Sequence, residues 1–242
     1  MLVKMIKARI RGTTTSKHKN ELAFWKKELL KYIKWYNGQL KVLYSTPCPT
    51  EHEKVQAPNV KDSSMLTWHK LHQEAKYLKD LELDHFSFKG TSVLDIGSGP
   101  IPSATCFMEC ELYCLDPMLP EYLRVGFPVH YYDNVRFVHG YAEDIPLEDG
   151  SMGAVISVNA MDHVDDFAKT AREIRRVLKP GGLLRMHIHY HAPTRCEPIQ
   201  INDDVFADHF GWCPNLRRVR IAQASYSARV SDGDAFALWS NF

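Results

Sequence analysis

Two periodicities divide this chain. From about residue 19 to 36, Leu22, Trp25, Leu29, Ile33 and Tyr36 fall three or four positions apart, the spacing that lines one face of a helix. From about 63 to 80, after a Ser63-Ser64 start, Met65, Trp68, Leu71, Ala75 and Leu78 repeat that pattern. Each stripe needs a surface to pack on. Between them residues 46 to 62 carry Pro47, Pro49 and Pro58 and read as a linker or ordered loop, while residues 1 to 18 read as a mobile or loosely docked leader ending in the polar Gly12-Thr13-Thr14-Thr15-Ser16 stretch.

From residue 90 the texture changes to short apolar runs alternating with helical segments. Strands are expected at about 91 to 96, 111 to 115, 135 to 138, 153 to 158 and 182 to 190, and helices at about 102 to 109, 119 to 125, 166 to 178 and 202 to 210. That alternation predicts an α/β fold with a mostly parallel sheet and crossover helices. The final runs, 216 to 224 and 235 to 241, flank the turn signal Ser231-Asp232-Gly233-Asp234, so the sheet should finish with an antiparallel hairpin.

Composition changes this picture little. A chain of 242 residues with 45% hydrophobic content suffices for one decorated domain, and no apolar run approaches the ~20 residues that span a bilayer. The Met1-Leu2-Val3-Lys4 start lacks the apolar core of a secretion signal, and the expected location is cytoplasmic. Cys48, Cys106, Cys110, Cys114, Cys196 and Cys213 form no paired framework, and reduced, structural thiols are expected. Charge is uneven: residues 1 to 41 hold eleven Lys or Arg against only Glu21 and Glu28. Such a front could follow phosphates, but Lys26, Lys27, Lys31 and Lys34 equally suit the solvated face of the first helix.

The chemistry gathers at strand ends. Val93-Leu94-Asp95-Ile96 breaks into Gly97-Ser98-Gly99-Pro100, the form of a first strand and nucleotide-binding loop. About twenty residues later, Leu112-Tyr113-Cys114-Leu115-Asp116-Pro117 ends a second strand in a carboxylate, placed to accept hydrogen bonds from ribose hydroxyls. These two motifs leave a dehydrogenase open, although the loop lacks the third glycine that brings a helix N-terminus to a pyrophosphate.

The runs Val135 to Leu147 and Asp149 to Ala160, followed by Val164-Asp165-Asp166 and Glu173 to Gly182, closely resemble the class I S-adenosylmethionine-dependent methyltransferases, in the branch typified by ubiquinone and menaquinone biosynthesis enzymes. The resemblance covers about residues 90 to 190. It implies a Rossmann-like, doubly wound, seven-stranded sheet under an N-terminal helical lid, with residues 1–62 as leader, helix and connecting loop and 63–242 as the methyltransferase domain. It also implies that Gly97, Ser98 and Gly99 line the methionine part of the cofactor S-adenosylmethionine, with Asp95 orienting its amino group. Asp116 would hold the ribose, Pro117 and Met118 would flank adenine, Ala142 and Glu143 would meet its edge, and Asn159 would sit by the reaction centre. Tyr141 replaces the Asp usual in the Gly-Asp-Ala turn, and Pro100 with Pro102 stiffens the glycine loop.

Methyl transfer asks mainly for in-line positioning, with a base where the acceptor is a hydroxyl or an ammonium. His163, in Asn159-Ala160-Met161-Asp162-His163, is the candidate base, with Asp162 its competitor. His187, His189 and His191 alternate along the fifth strand and share one face. Such a ladder could bind a metal; under a helical cover its histidines are more often hydrogen-bonded, so no metal is expected. His191, at the strand's exposed end, is the member expected to touch an acceptor, with Glu197 and His209 in the segment beyond it. Phe24-Trp25 and Trp35-Tyr36 could form a lid over the acceptor or pack in the core. The pattern Phe24-Trp25, Tyr32, Trp35-Tyr36-Asn37-Gly38 is similar to methyltransferases of surface-polysaccharide pathways. The expectation is therefore methyl transfer to a small molecule such as a sugar hydroxyl, with a homodimer as the candidate assembly. An RNA methyltransferase and a non-catalytic cofactor-binding protein are the alternatives.

Overall fold

The computed structural model describes residues 6–7, 16–223 and 234–242. Most of the expected leader and the turn at 231–233 lie outside the described residues. In chain order the elements are β1 (Ile6–Lys7), α1 (Ser16–Tyr36), β2 (Val42–Leu43), β3 (Thr46–Pro47), α2 (Val60–Trp68), a π-helical stretch His69–Gln73 and α3 (Glu74–Leu81). They continue with β4 (Ser92–Ile96), β5 (Glu111–Asp116), α4 (Leu119–Val125), β6 (Val135–His139), β7 (Met152–Val158), α5 (Phe167–Val177), β8 (Leu178–Tyr190), α6 (Asp203–Phe210), β9 (Arg217–Gln223) and β10 (Ala235–Ser240). The sheet runs β1-β6-β5-β4-β7-β8-β10-β9. It is parallel except for β10, which pairs antiparallel with both neighbours. The expected seven strands and closing antiparallel pair are present, and the two-residue β1 adds an edge strand beside β6.

The order reverses at β4, the first strand of the apolar alternation, so the carboxyl ends of β4, β5 and β7 frame the crevice where open α/β sheets bind ligands. Val93, Leu94, Ala154, Val155, Ile156, Leu184 and Met186 are fully buried, as strands covered on both faces require. The two faces pack against α5 and α6 through Phe167, Ile174, Phe206 and Phe210, and against α3 through Tyr77 and Leu81.

A third cluster sits outside the sheet: Leu29, Tyr32, Trp35 and Tyr36 of α1 meet Met65 and Trp68 of α2, then Met118, Tyr122 and Phe127 around α4. Trp35 and Tyr36 are therefore core residues. Trp68 stacks on Tyr32 at 5.1 Å between ring centroids and meets Trp35 edge-on at 5.0 Å.

Two expected helices differ. The second begins at Val60, where the Asn59 side chain caps Asp62 N at 2.9 Å, ahead of the Ser63-Ser64 start. Its stripe is kept at Leu71 and Leu78, which pack partly buried against the cores, but shifts at Ala75, because the π-helical stretch inserts an extra residue and rotates the helix that follows. Ala75 then faces solvent, and Tyr77 and Leu81 are buried instead. The helix expected at 102 to 109 is only a 3₁₀ turn, Ser103–Cys106. Pro100 and Pro102 remove backbone donors there, and the extended Phe107 sends its ring against Phe88, 4.8 Å away. The six cysteines are free, with Cys106, Cys114 and Cys213 buried. Among the described residues no helix is long and apolar enough to cross a membrane.

Candidate functional site

The loop after β4 is pinned to the next strand by its own backbone. Gly97 N and Ser98 N both donate to Leu115 O, at 2.9 and 3.2 Å, and Gly99 N donates to Asp116 Oδ2 at 2.9 Å. Gly97 has φ +74°, and a Cβ there would lie 2.2 Å from Ala160 Cβ, so the missing side chain lets the loops after β4 and β7 meet. Gly99 has φ +64°, and its α-carbon faces the Trp25 ring, which a Cβ would approach to 3.2 Å.

Asp116 is held twice, because its Oδ1 also accepts from Met118 N at 2.7 Å. Each oxygen keeps lone-pair capacity for a further donor. Burial raises the Asp116 carboxyl to about 6; the two backbone N–H groups oppose this, Glu21 adds to it and His163 opposes it. Asp95 lies beneath the loop rather than on its lip, fully buried. Tyr77 donates to its Oδ1, while Oδ2 has no hydrogen-bond partner among the described residues. Burial raises Asp95 to about 7, Tyr77 opposes that shift and Asp116 adds to it. Tyr77 was invisible to periodicity, since only the π-helical stretch rotates it toward the sheet.

The first turns of α1 lie across four loops at the carboxyl edge. Lys17 Nζ donates to His163 O and pairs with Asp165, both at 2.5 Å. His18 stacks on Tyr141, and Glu21 accepts from Trp25 Nε1 at 2.9 Å. Trp25 meets Gly99, Tyr122 and Phe127. Tyr141, the departure from the family turn, is thus a seat for α1. The sequence offered one signal for Glu21, as one of only two acids in a basic front. It offered none for His18.

At the end of β7, Asn159 takes a left-handed φ of +52°; its N donates to His187 O at 2.9 Å, and its Oδ1 accepts from His187 Nδ1 at 2.8 Å. Burial pushes His187 down to about 4, so it is neutral. His191 differs from its expected place at an exposed strand end: it is buried. Its Nδ1 donates to Ala192 O at 2.6 Å and its Nε2 to Asp162 Oδ2 at 2.9 Å. The hydrogen bond to Asp162 outweighs burial and raises His191 to about 9, which leaves an imidazolium–carboxylate pair rather than a free base. His163 is partly open, with Nδ1 4.0 Å from Glu21 Oε2 and Nε2 3.7 Å from Glu197 Oε1, beyond hydrogen-bond length but within ion-pair range.

The remaining candidates ring the same edge. Met118 and Ala142 are buried, and Pro117 and Glu143 are partly open. Glu143 Oε1 accepts from Asp165 N and Asp166 N at 2.6 and 3.2 Å, so one of its oxygens holds the start of α5. His209 instead packs edge-on against Phe167, at 5.4 Å.

Residues 94–186 match the family described as Methyltransferase domain. Over 137 residues the chain is 31% identical to the uncharacterized methyltransferase YcgJ of Bacillus subtilis, covering 55% of this chain and 52% of that protein. Over 93 residues it is 32% identical to the demethylmenaquinone methyltransferase of Chlorobaculum tepidum, covering 38% and 35%. The matched stretch thus spans about half or less of these curated relatives. The crystal structure of geranyl diphosphate C-methyltransferase from Streptomyces coelicolor shares the fold, with a TM-score of 0.57 and 14% identity over 94% of this chain and 98% of that one.

Proposed function

We propose that this chain, whose residues 94–186 match a methyltransferase domain, is an S-adenosylmethionine-dependent methyltransferase that moves the donor's methyl group to a hydroxyl of a small polar molecule such as a sugar. The observation that carries the reading is the doubly anchored Asp116 carboxylate beside the Gly97-Ser98-Gly99 loop. The residues fit the donor: Asp116 has lone pairs left for ribose hydroxyls, and the Asp95 Oδ2 beneath the loop lacks a partner. Bound there, S-adenosylmethionine supplies a methyl group already activated by a sulfonium.

The chain's own residues then position and deprotonate. Asn159, fixed by His187, holds the loop that begins at the end of β7. Trp25 and the rest of the α1 cover exclude water from the donor side. His163, between the flanking carboxylates of Glu21 and Glu197, would accept the acceptor's hydroxyl proton. With Asp162 and Asp165 neutralised by His191 and Lys17, the carboxylates of Glu21 and Glu197 remain beside His163 and suit a neutral, hydroxyl-rich acceptor better than a phosphodiester.

His163→Ala will lower the methylation rate about tenfold and leave the donor affinity unchanged, since positioning supplies most of the acceleration. Single-turnover transfer of labelled methyl to a sugar and polyol panel, beside calorimetry of donor binding, checks both. Donor binding with no transfer to any acceptor would favour the non-catalytic alternative.

Donor affinity should also fall about tenfold between pH 7 and pH 5, as Asp116 protonates through its value near 6. Folding stability responds oppositely. Because the folded-state value lies above the ordinary 3.8, the stabilising proton uptake is complete at low pH and is lost as pH rises through 6. Donor titrations and urea unfolding of the donor-free chain across this window test the two signs.

A further inference from the structure

We propose that Asp162, His189, His191 and Glu197 form a binding site for one divalent first-row transition ion, such as zinc, on the acceptor side of the carboxyl edge. One ligand atom from each lies within 4.8 Å of the other three. An ion with ligand bonds of about 2.1 Å separates its tetrahedral ligands by about 3.4 Å, so pairs at the outer limit close by up to about 1.4 Å on binding, within the reach of side-chain rotation in a surface loop. His191 Nε2 and Asp162 Oδ2 are already 2.9 Å apart.

The sequence shows why they converge. His189 and His191 stand two apart on β8 and share its face, their rings 4.4 Å apart between centroids. Asp162 reaches them from the turn after β7, and Glu197 from the loop after β8. The histidines are thus met directly by carboxylates from two loops, with ligand atoms in reach of one another, rather than being covered by a helix alone.

Two independent features point to a cation. Asp162, at 2% exposure, has an Oδ1 with no hydrogen-bond partner among the described residues; His189 Nε2 makes no hydrogen bond there either, though it stands 3.7 Å from Asp234 Oδ2. Buried polar atoms left without partners are uncommon and need a cause. The supports that orient metal ligands are also present. His191 Nδ1 is held by Ala192 O, which aims Nε2 inward. Glu197 Oε2 accepts from Thr194 Oγ1 at 2.7 Å, leaving Oε1 as the ligand. Binding releases the proton now on His191 Nε2 to solvent. Two imidazoles with two carboxylates favour a transition ion over magnesium or calcium, which prefer all-oxygen sets.

The site does not depend on methyl transfer, so it is tested with neither donor nor acceptor present. The full chain, freed of metal by chelation, is titrated with zinc alone by calorimetry and equilibrium dialysis, alongside His189→Ala and Glu197→Gln. The expected result is one zinc per chain, bound at least a hundredfold more weakly by each variant. Cobalt loaded in place of zinc should give visible ligand-field bands that both variants lose. Glu197 lies in a surface loop and its amide variant keeps its volume, so a matched circular dichroism spectrum certifies that comparison if His189→Ala misfolds. Absence of stoichiometric binding, or zinc affinity unchanged in Glu197→Gln, overturns the proposal.

Discussion

Asp116→Ala will weaken S-adenosylmethionine binding on the order of a thousandfold, because on the proposed reading it removes two charge-assisted bonds to the ribose, each worth about 1.5–3 kcal/mol. It also strands Gly99 N and Met118 N, which Asp116 satisfies at 2.9 and 2.7 Å, so the loop itself loosens. Asp116→Asn separates the two effects. Its one remaining oxygen can keep a single backbone bond while the charge is lost, and it should fall between the wild type and the alanine variant. Calorimetric titration with the donor checks the series. Unchanged affinity in Asp116→Ala would refute the ribose assignment.

Gly97→Ala is expected to cost about 3 kcal/mol or more of stability and to abolish donor binding. Alanine at φ +74° carries a left-handed penalty of about 1–2 kcal/mol, and its Cβ at 2.2 Å from Ala160 Cβ forces the two loops apart at a further cost of about 1–3 kcal/mol. In a chain of this size that lowers the melting temperature by about 6–12 °C. Ala160→Gly in the same chain removes the contact but not the backbone penalty, so the double variant should regain part of the lost stability. Thermal melts of the four chains measure the coupling. A double variant no more stable than Gly97→Ala would place the cost in the backbone alone.

The parts of this fold legible in the sequence were those governed by burial on both faces. Val93 to Ile96, Leu112 to Leu115 and Met152 to Val158 are apolar runs closed by a turn, and each is a central strand ending near the site. Asp116 was legible for the same reason, as the first acid after such a run. What escaped depends on departures from ideal periods. The π-helical stretch at His69–Gln73 moves Ala75 outward and Tyr77 inward, and a count of 3.6 residues per turn cannot foresee it. His191 was misplaced because strand position fixes its face but says nothing of Asp162, which arrives from another loop and buries it in a pair. The helix expected after the glycine loop failed on Pro100 and Pro102, both visible in advance; their consequence became clear only with Phe107 drawn into the core.

The α1 cover touches the loops around Gly99, Tyr122, Tyr141 and His163, yet it lies wholly upstream of residues 94–186, where the shared domain is recognised. The cover over the glycine loop and the turn after β7 is thereby written in a different stretch of the chain from the β4 and β5 motifs beneath it. Substitutions among Lys17, His18, Glu21 and Trp25 should therefore loosen or reshape the cover while the β4 and β5 motifs stay intact, so change within such a lineage can alter how the site is closed without altering the sheet that carries it.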